Sequence, residues 1–235
     1  MTEHSTWLLR AGYRLRRLKS HLAGESEPGR LPFDWSQAPE TRLDVVAHAI
    51  SATNATRYLE IGCNEDTLFS SVSCALKVGV DPVRGGTHRM TSDAFFATNT
   101  ETFDVVFIDG LHIYDQVRRD IDNALGVLAP GGVIGLHDCL PLTWKHQAVP
   151  RQSHAWNGDV WKAVMEFKAR DDVDLRVIAI DQGVGVVCKR ANTDRQSFDI
   201  TDWADLPFGV LRHHYKRLGI IGFNDLPGFL NGDAG

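Results

Sequence analysis

Four short apolar runs, each ending at or beside an acidic residue, constrain this chain most. They are Tyr58-Leu59-Glu60-Ile61 leading into Gly62, Val78-Gly79-Val80-Asp81, Val105-Val106-Phe107-Ile108-Asp109 and Val133-Ile134-Gly135-Leu136-His137-Asp138. Continuous apolarity over so few residues reads as strands buried on both faces. Helical periodicity lies between and around them. Residues 41–51 put Leu43, Val46, Ala47 and Ile50 on one face, and 114–128 do the same with Val117, Ile121, Ala124, Leu125 and Leu128. A further helix over 159–170 carries Val160, Ala163, Val164 and Phe167 in register. It precedes strands at 175–180 and 184–187, which the tight turn Asp181-Gln182-Gly183 forces to be antiparallel. Strands alternating with helices predict a Rossmann-like, doubly wound α/β fold. Its seven-stranded sheet is expected to be mostly parallel with an antiparallel last strand and helices on both faces.

Three units are expected: residues 1–38, a central domain over 39–190, and an extension over 191–235. The first holds a basic amphipathic helix with Leu8, Ala11, Leu15, Leu18 and Leu22 on one side and Arg10, Arg14, Arg16, Arg17 and Lys19 around it. Its apolar positions are periodic rather than continuous, so it does not read as a secretory signal. It is expected to pack on its own domain or on the partner in a homodimer. The extension carries Trp203, Phe208 and His213-His214-Tyr215, and is expected to complete an acceptor site or a dimer contact. With 25 Lys+Arg against 30 Asp+Glu, the net charge of -5 argues against a nucleic-acid partner. No apolar run approaches a membrane span. The 4 cysteines show no C-x-x-C pairing, which suits reduced core thiols and a cytoplasmic location.

In an open α/β sheet ligands sit at the carboxyl ends of the strands, so the strand-closing residues are the informative ones. Gly62 after a strand, with Asp81 following the next, fits a nucleotide site: the glycine admits close backbone approach and the acid holds ribose hydroxyls. The G-x-G-x-x-G run is absent, and Glu65 and Asp66 would repel a pyrophosphate at the next helix start. This disfavours a dinucleotide. It suits S-adenosylmethionine, whose sulfonium and ammonium are cationic.

Tyr58-Leu59-Glu60-Ile61-Gly62 resembles the first motif of class I S-adenosylmethionine-dependent methyltransferases. Val80-Asp81 is similar to their second-strand acid, and Met90-Thr91-Ser92-Asp93-Ala94-Phe95-Phe96 to their adenine-contacting segment. Residues 103–110 and 128–134 resemble two further motifs of that family. Asp109-Gly110-Leu111-His112 together with His137-Asp138 narrows the resemblance to the macrocin O-methyltransferase-like group of small-molecule and sugar enzymes. The resemblance implies that Glu60, Gly62, Cys63 and Asn64 meet the methionine part of the cofactor, Asp81 its ribose, and Thr91, Ser92 and Asp93 its adenine, with Asp109 and His112 close by. Two departures are evident: the third glycine of the first motif is replaced near Asp66, and Leu111 stands where many relatives carry an acid after Asp-Gly.

Methyl transfer to oxygen requires the acceptor to be positioned and its proton removed. Strands 105–109 and 133–138 should be neighbours, about 4.8 Å apart, so Asp109 and Asp138 could share one ion. Oxygen ligands favour Mg²⁺, and some relatives hold magnesium at these positions. His137 is the first candidate base and His112 the second. Asp109 could instead cap the helix near Ile113, and His112 could orient the cofactor. His146, His154, His213 and His214 are expected to serve solvent or packing roles. The irregular stretch 141–159 offers Trp144, Trp156, Asn157 and Asp159 to a small-molecule or oligosaccharide acceptor, since flat aromatics beside polar groups suit a sugar. A phenolic acceptor and a non-catalytic cofactor-binding module are the alternatives.

Overall fold

The computed structural model describes Leu18 and residues 29–232. The basic helix expected at the beginning of the chain therefore lies, apart from Leu18, outside the described residues. Seven strands form one sheet in the order β2-β1-β3-β4-β6-β5-β7. They are β1 (Arg57–Ile61), β2 (Leu76–Val80), β3 (Phe103–Ile108), β4 (Leu128–Leu136), β5 (Asp174–Ile178), β6 (Val184–Cys188) and β7 (Ile220–Ile221). Strand β6 alone runs against its neighbours β4 and β5. The reversed strand is thus the sixth rather than the last, because a two-residue strand from the extension pairs in parallel with β5.

Alternate residues of each central strand supply two separate cores. Leu59, Ile61, Val106, Ile108, Ile134 and Leu136 face α4 (Tyr114–Val127) and α6 (Val160–Lys168), which contribute Ile121, Ala124, Trp161 and Val164. Tyr58, Val105, Phe107 and Val133 face the other way, against Val46 and Ala49 of α1 (Arg42–Thr53) and Phe229 of α8 (Leu226–Asn231). This double burial is why the strands read as unbroken apolar runs. Four shorter helices complete the set: α2 (Thr67–Ser71), α3 (Ser92–Thr98), α5 (Trp144–Gln147) and α7 (Phe208–His214). No described helix is long and apolar enough to cross a membrane.

Capping is partly local and partly long-range. Asp44 accepts from the Thr41 N–H at 2.8 Å at the start of α1, a reach-back within one turn. Helix α4 has no such local cap: Asp159, 45 positions away, accepts from the Tyr114 N–H at 2.6 Å and sets a negative charge at the positive helix end.

The sheet order reverses between β1 and β3, since β2 lies on one side of β1 and β3 on the other. Chains leaving the sheet there part in opposite directions and open a crevice. Gly62 closes β1 at φ +90, and a Cβ there would stand 2.3 Å from the Asp109 carbonyl oxygen. The first glycine is therefore demanded by chain crossing as well as by any ligand. Gly62→Ala should lower stability by more than about 2 kcal/mol in urea titration. Gly126→Ala, at an exposed site of α4 with nothing near its Cβ, should raise it by about 0.5–1 kcal/mol.

Candidate active site

A cavity of about 1570 Å³ opens at the carboxyl edge of the sheet, around the β1–β3 crevice. Its wall includes Glu60, Gly62, Cys63, Asn64, Asp81, Thr91, Ser92, Asp93, Asp109, His112, His137, Asp138 and Trp156 of the expected site residues. Trp144, Asn157 and Asp159 are absent from that wall. Trp144 is half-buried against the α4/α6 core. Asp159 caps α4 and pairs with Lys162 at 3.1 Å, leaving it no carboxylate oxygen for an acceptor. Asn157 stands just behind the wall, donating to Asp138 at 3.0 Å.

On the β1–β2 side the backbone does most of the holding. Asp81 accepts from the N–H groups of Asn64, Val83 and Arg84 at 2.8–2.9 Å. Burial works against its charge, but those bonds and Arg89 hold its pKa below the usual carboxylate range. Asp66 does not face a ligand: its carboxylate takes the Gly86 N–H at 2.6 Å, and Glu65 pairs with Arg84. The replaced glycine thus anchors the loop after β2. The Cys63 thiol packs against Gly79 and Gly86. Thr91 caps α3 through the Ala94 N–H, and Gln116 gathers Ser92 and Asp93. Glu60 is 1% exposed and accepts from the Tyr58 hydroxyl at 2.6 Å. Burial pushes its pKa up to about 7, only partly offset by that bond, and Asp109 adds to the rise.

On the β3–β4 side three carboxylates converge on the same cations. Arg42, the first residue of α1, donates to Asp109 at 2.7 Å and to Asp181 at 2.8 and 3.2 Å. His112 Nε2 lies 3.2 Å from Asp109 Oδ1 and its Nδ1 3.0 Å from Asp138 Oδ2. Burial alone would lower its pKa, but those two carboxylates raise it to about 10. Its ring stacks on Trp156 at 5.4 Å. Asp109 does not cap a helix. Burial opposes its charge, yet His137, His112 and their hydrogen bonds keep it well below the carboxylate range.

His137 is sealed in. Its side chain is 2% exposed, and Nε2 lies 2.8 Å from the Asp181 carbonyl oxygen. A carbonyl only accepts, so Nε2 bears the hydrogen. Nδ1 then lies 3.2 Å from Asp109 Oδ1, 3.3 Å from Asp138 Oδ2 and 3.2 Å from the Arg42 guanidinium, between two carboxylates and one cation. Asp109, His137 and Asp138 offer ligand atoms within 4.8 Å of one another. An imidazole whose far N–H is fixed by a carbonyl is the usual partner of a metal ion, so these side chains fit a divalent cation. His137 has no nitrogen facing the cavity; His112 is 19% exposed there, with both of its nitrogens directed at carboxylates.

Residues 33–139 match a family model described as a methyltransferase domain. The matched segment is somewhat less than half of the chain. No curated protein matches. Among solved structures, a putative O-methyltransferase from Klebsiella pneumoniae aligns with a TM-score of 0.51 at 14% identity, over 79% of this chain and 96% of that one. The O-methyltransferase TomG from Streptomyces achromogenes, in complex with SAM, aligns at 0.49 and 17% identity over 66% and 82%. An O-methyltransferase from Bacillus cereus in complex with SAH gives 0.47 and 13% over 76% and 91%. At 14% identity the likeness to the Klebsiella protein is one of fold.

The matched segment supplies the β1–β2 side of the wall together with Asp109 and Asp138. Arg42 within it, and Arg30, His146, His154, Asp181 and Gln182 outside it, line the cavity without having been expected there. In sequence Asp181 reads only as a turn former, and His146 and His154 as solvent or packing residues. Nothing local distinguishes them, because residues far apart in sequence bring them to the wall. Among the described residues none beyond Gln182 lines the cavity; the extension packs Phe208, Leu211 and Leu218 into the α4/α6 core, adds β7 to the sheet edge and sets Phe229 against the α1 face.

The pKa of Glu60 makes a prediction about stability. Its folded value of about 7 lies above the ordinary 4.5, so the fold resists ionisation. Stability is fully present below pH 4.5 and falls as pH rises through 7, by about 3 kcal/mol in all. Glu60→Gln keeps the shape without the charge. In urea titrations it should be more stable than the wild type at pH 8 and similar at pH 4.5.

Proposed function

We propose that the protein is an S-adenosylmethionine-dependent O-methyltransferase acting on a hydroxyl of a sugar or glycosylated metabolite in saccharide biosynthesis, assisted by a divalent cation. The observation that carries the donor half is Glu60. It is a buried carboxyl on the cavity floor with a hydroxyl partner and, among the described residues, no cation paired to it, and a cationic donor would complete its charge. The cavity exceeds the roughly 300–1,000 Å³ of a one-ligand pocket, which suits a donor and an acceptor together. The flat ring of Trp156 and the polar His146 and His154 support a polyhydroxylated acceptor.

Bound S-adenosylmethionine supplies a methyl group on a sulfonium, already an activated leaving group. In this reading Asp81, fixed by three N–H groups, receives the ribose, while Thr91, Ser92 and Asp93 border the adenine. His112 would be the base once a cation at Asp109 and Asp138 had taken over the two carboxylates that otherwise keep its ring protonated. As the acceptor oxygen bonds to the methyl carbon and the carbon–sulfur bond breaks, the hydroxyl proton passes to this imidazole. Asp109, Asp138 and His137 Nδ1 would hold the cation, magnesium or an ion more tolerant of nitrogen such as manganese. Its chemistry there is to stabilise a developing alkoxide. Arg42 holds the remaining Asp109 oxygen and so fixes the carboxylate's direction.

Calorimetric titration with S-adenosylhomocysteine, with NADH as control, tests the donor. Micromolar binding of the former alone is expected; its absence would overturn the enzyme reading. With an acceptor in hand, His112→Ala should lower turnover by about 10²–10⁴ while changing S-adenosylhomocysteine affinity far less. Asp138→Asn should remove the stimulation by added Mg²⁺ or Mn²⁺. Undiminished stimulation in that variant would place the cation elsewhere.

A further inference from the structure

The charged groups of the cavity wall do not all balance. Two of its three arginines are matched: Arg42 with Asp109 and Asp181, and Arg84 with Glu65 and Asn64. Arg30 makes no hydrogen bond or ion pair with any described residue, and its field falls only weakly on exposed Asp34. Its place is nonetheless fixed. The next residue, Leu31, is 1% exposed in the core and donates its N–H to the Leu142 carbonyl at 2.9 Å. Arg30 therefore stands over the segment that follows β4, on the side of the cavity away from Asp81 and the adenine-side residues. His146 of the same segment lies close enough to feel its charge: burial first, and then Arg30, hold that imidazole below its ordinary pKa.

We propose that the acceptor bears an anionic group, a carboxylate or a phosphate, and that Arg30 reads it at the cavity mouth. This deepens the methyltransferase reading and rests on it. A neutral sugar offers the guanidinium little that water does not, whereas a carboxylate or phosphate matches its planar fork with two charge-assisted bonds. Charges without a partner among the described residues then divide by ligand: Glu60 on the floor serves a cationic donor, and Arg30 at the mouth serves an anionic acceptor. Neutral His146 beside it can donate to or accept from a hydroxyl of the same molecule. Trp35 and Trp156 give the wall its flat apolar area.

The test uses the whole chain saturated with S-adenosylhomocysteine and three matched pairs: glucuronate with glucose, glucose 6-phosphate with glucose, and 3,4-dihydroxybenzoate with catechol. Calorimetry should show the anionic member of at least one pair binding tenfold or more tighter than its neutral partner. The pair that shows it distinguishes carboxylate from phosphate and sugar from phenol. In Arg30→Gln that preference should collapse, with the S-adenosylhomocysteine affinity kept as evidence of an intact fold. Absence of a preference in every pair, or its survival in Arg30→Gln, overturns the proposal and leaves the donor reading standing. Failure of the wild type to bind S-adenosylhomocysteine overturns both, and is seen before any acceptor is added.

Discussion

Three carboxylates meet at one end of this sheet because neighbouring parallel strands and one turn all finish there. Asp109 closes β3, Asp138 follows β4, and Asp181 sits in the turn before β6, yet they share Arg42, His112 and His137 at 2.7–3.5 Å. Unpaired negative charge packed so closely would cost several kcal/mol per group. Each surrounding feature compensates it. Helix α1 begins where its first side chain can reach two of the acids, and both imidazole rings lie edge-on between carboxylates. With one guanidinium and two imidazoliums the set is neutral, and a divalent cation could replace protons without breaking that balance.

The same compensation ties the irregular segment after β4 to the sheet. Asn157 donates to Asp138, Trp156 stacks on His112, and a Cβ on Gly158 would stand 1.7 Å from the His112 carbonyl oxygen. Asp159 then caps α4, the helix that follows His112. Within four residues this segment touches a carboxylate, an imidazole, a backbone carbonyl and a helix end. Its position is therefore set by contacts with the strand ends, and the β3–β4 side of the cavity takes its shape from them. Aromatic and polar residues in 141–159 consequently divide in two: Trp156 faces the cavity, whereas Trp144 and Asp159 hold the wall in place.

The two halves of the cavity differ in how they are built. On the β1–β2 side some contacts are short-range, Asp81 with Val83 and Arg84 and Thr91 with Ala94, while Arg84 reaches Asn64 across 20 positions. The short spacings are local enough to be visible in sequence. On the β3–β4 side almost every contact joins residues tens of positions apart, as Arg42 does with Asp109 and Asp181.

That difference decides what could be read from the amino-acid order alone. The alternation of apolar runs with periodic segments determined the parallel sheet, its reversed strand and the edge where chemistry belongs, because burial on two faces leaves no other pattern available. Gly62, Asp81 and the acids at strand ends were legible for the same reason: strand ends in such a fold share one edge. The tertiary structure decided the rest. It turned His137 inward, since only folding brings the Asp181 carbonyl to its Nε2, and it left His112 as the imidazole open to the cavity. It also delivered Arg30, Arg42 and His146 to the wall from segments with no motif of their own. A side chain's neighbours across the sheet are set by chain crossing and packing, and a linear sequence carries neither.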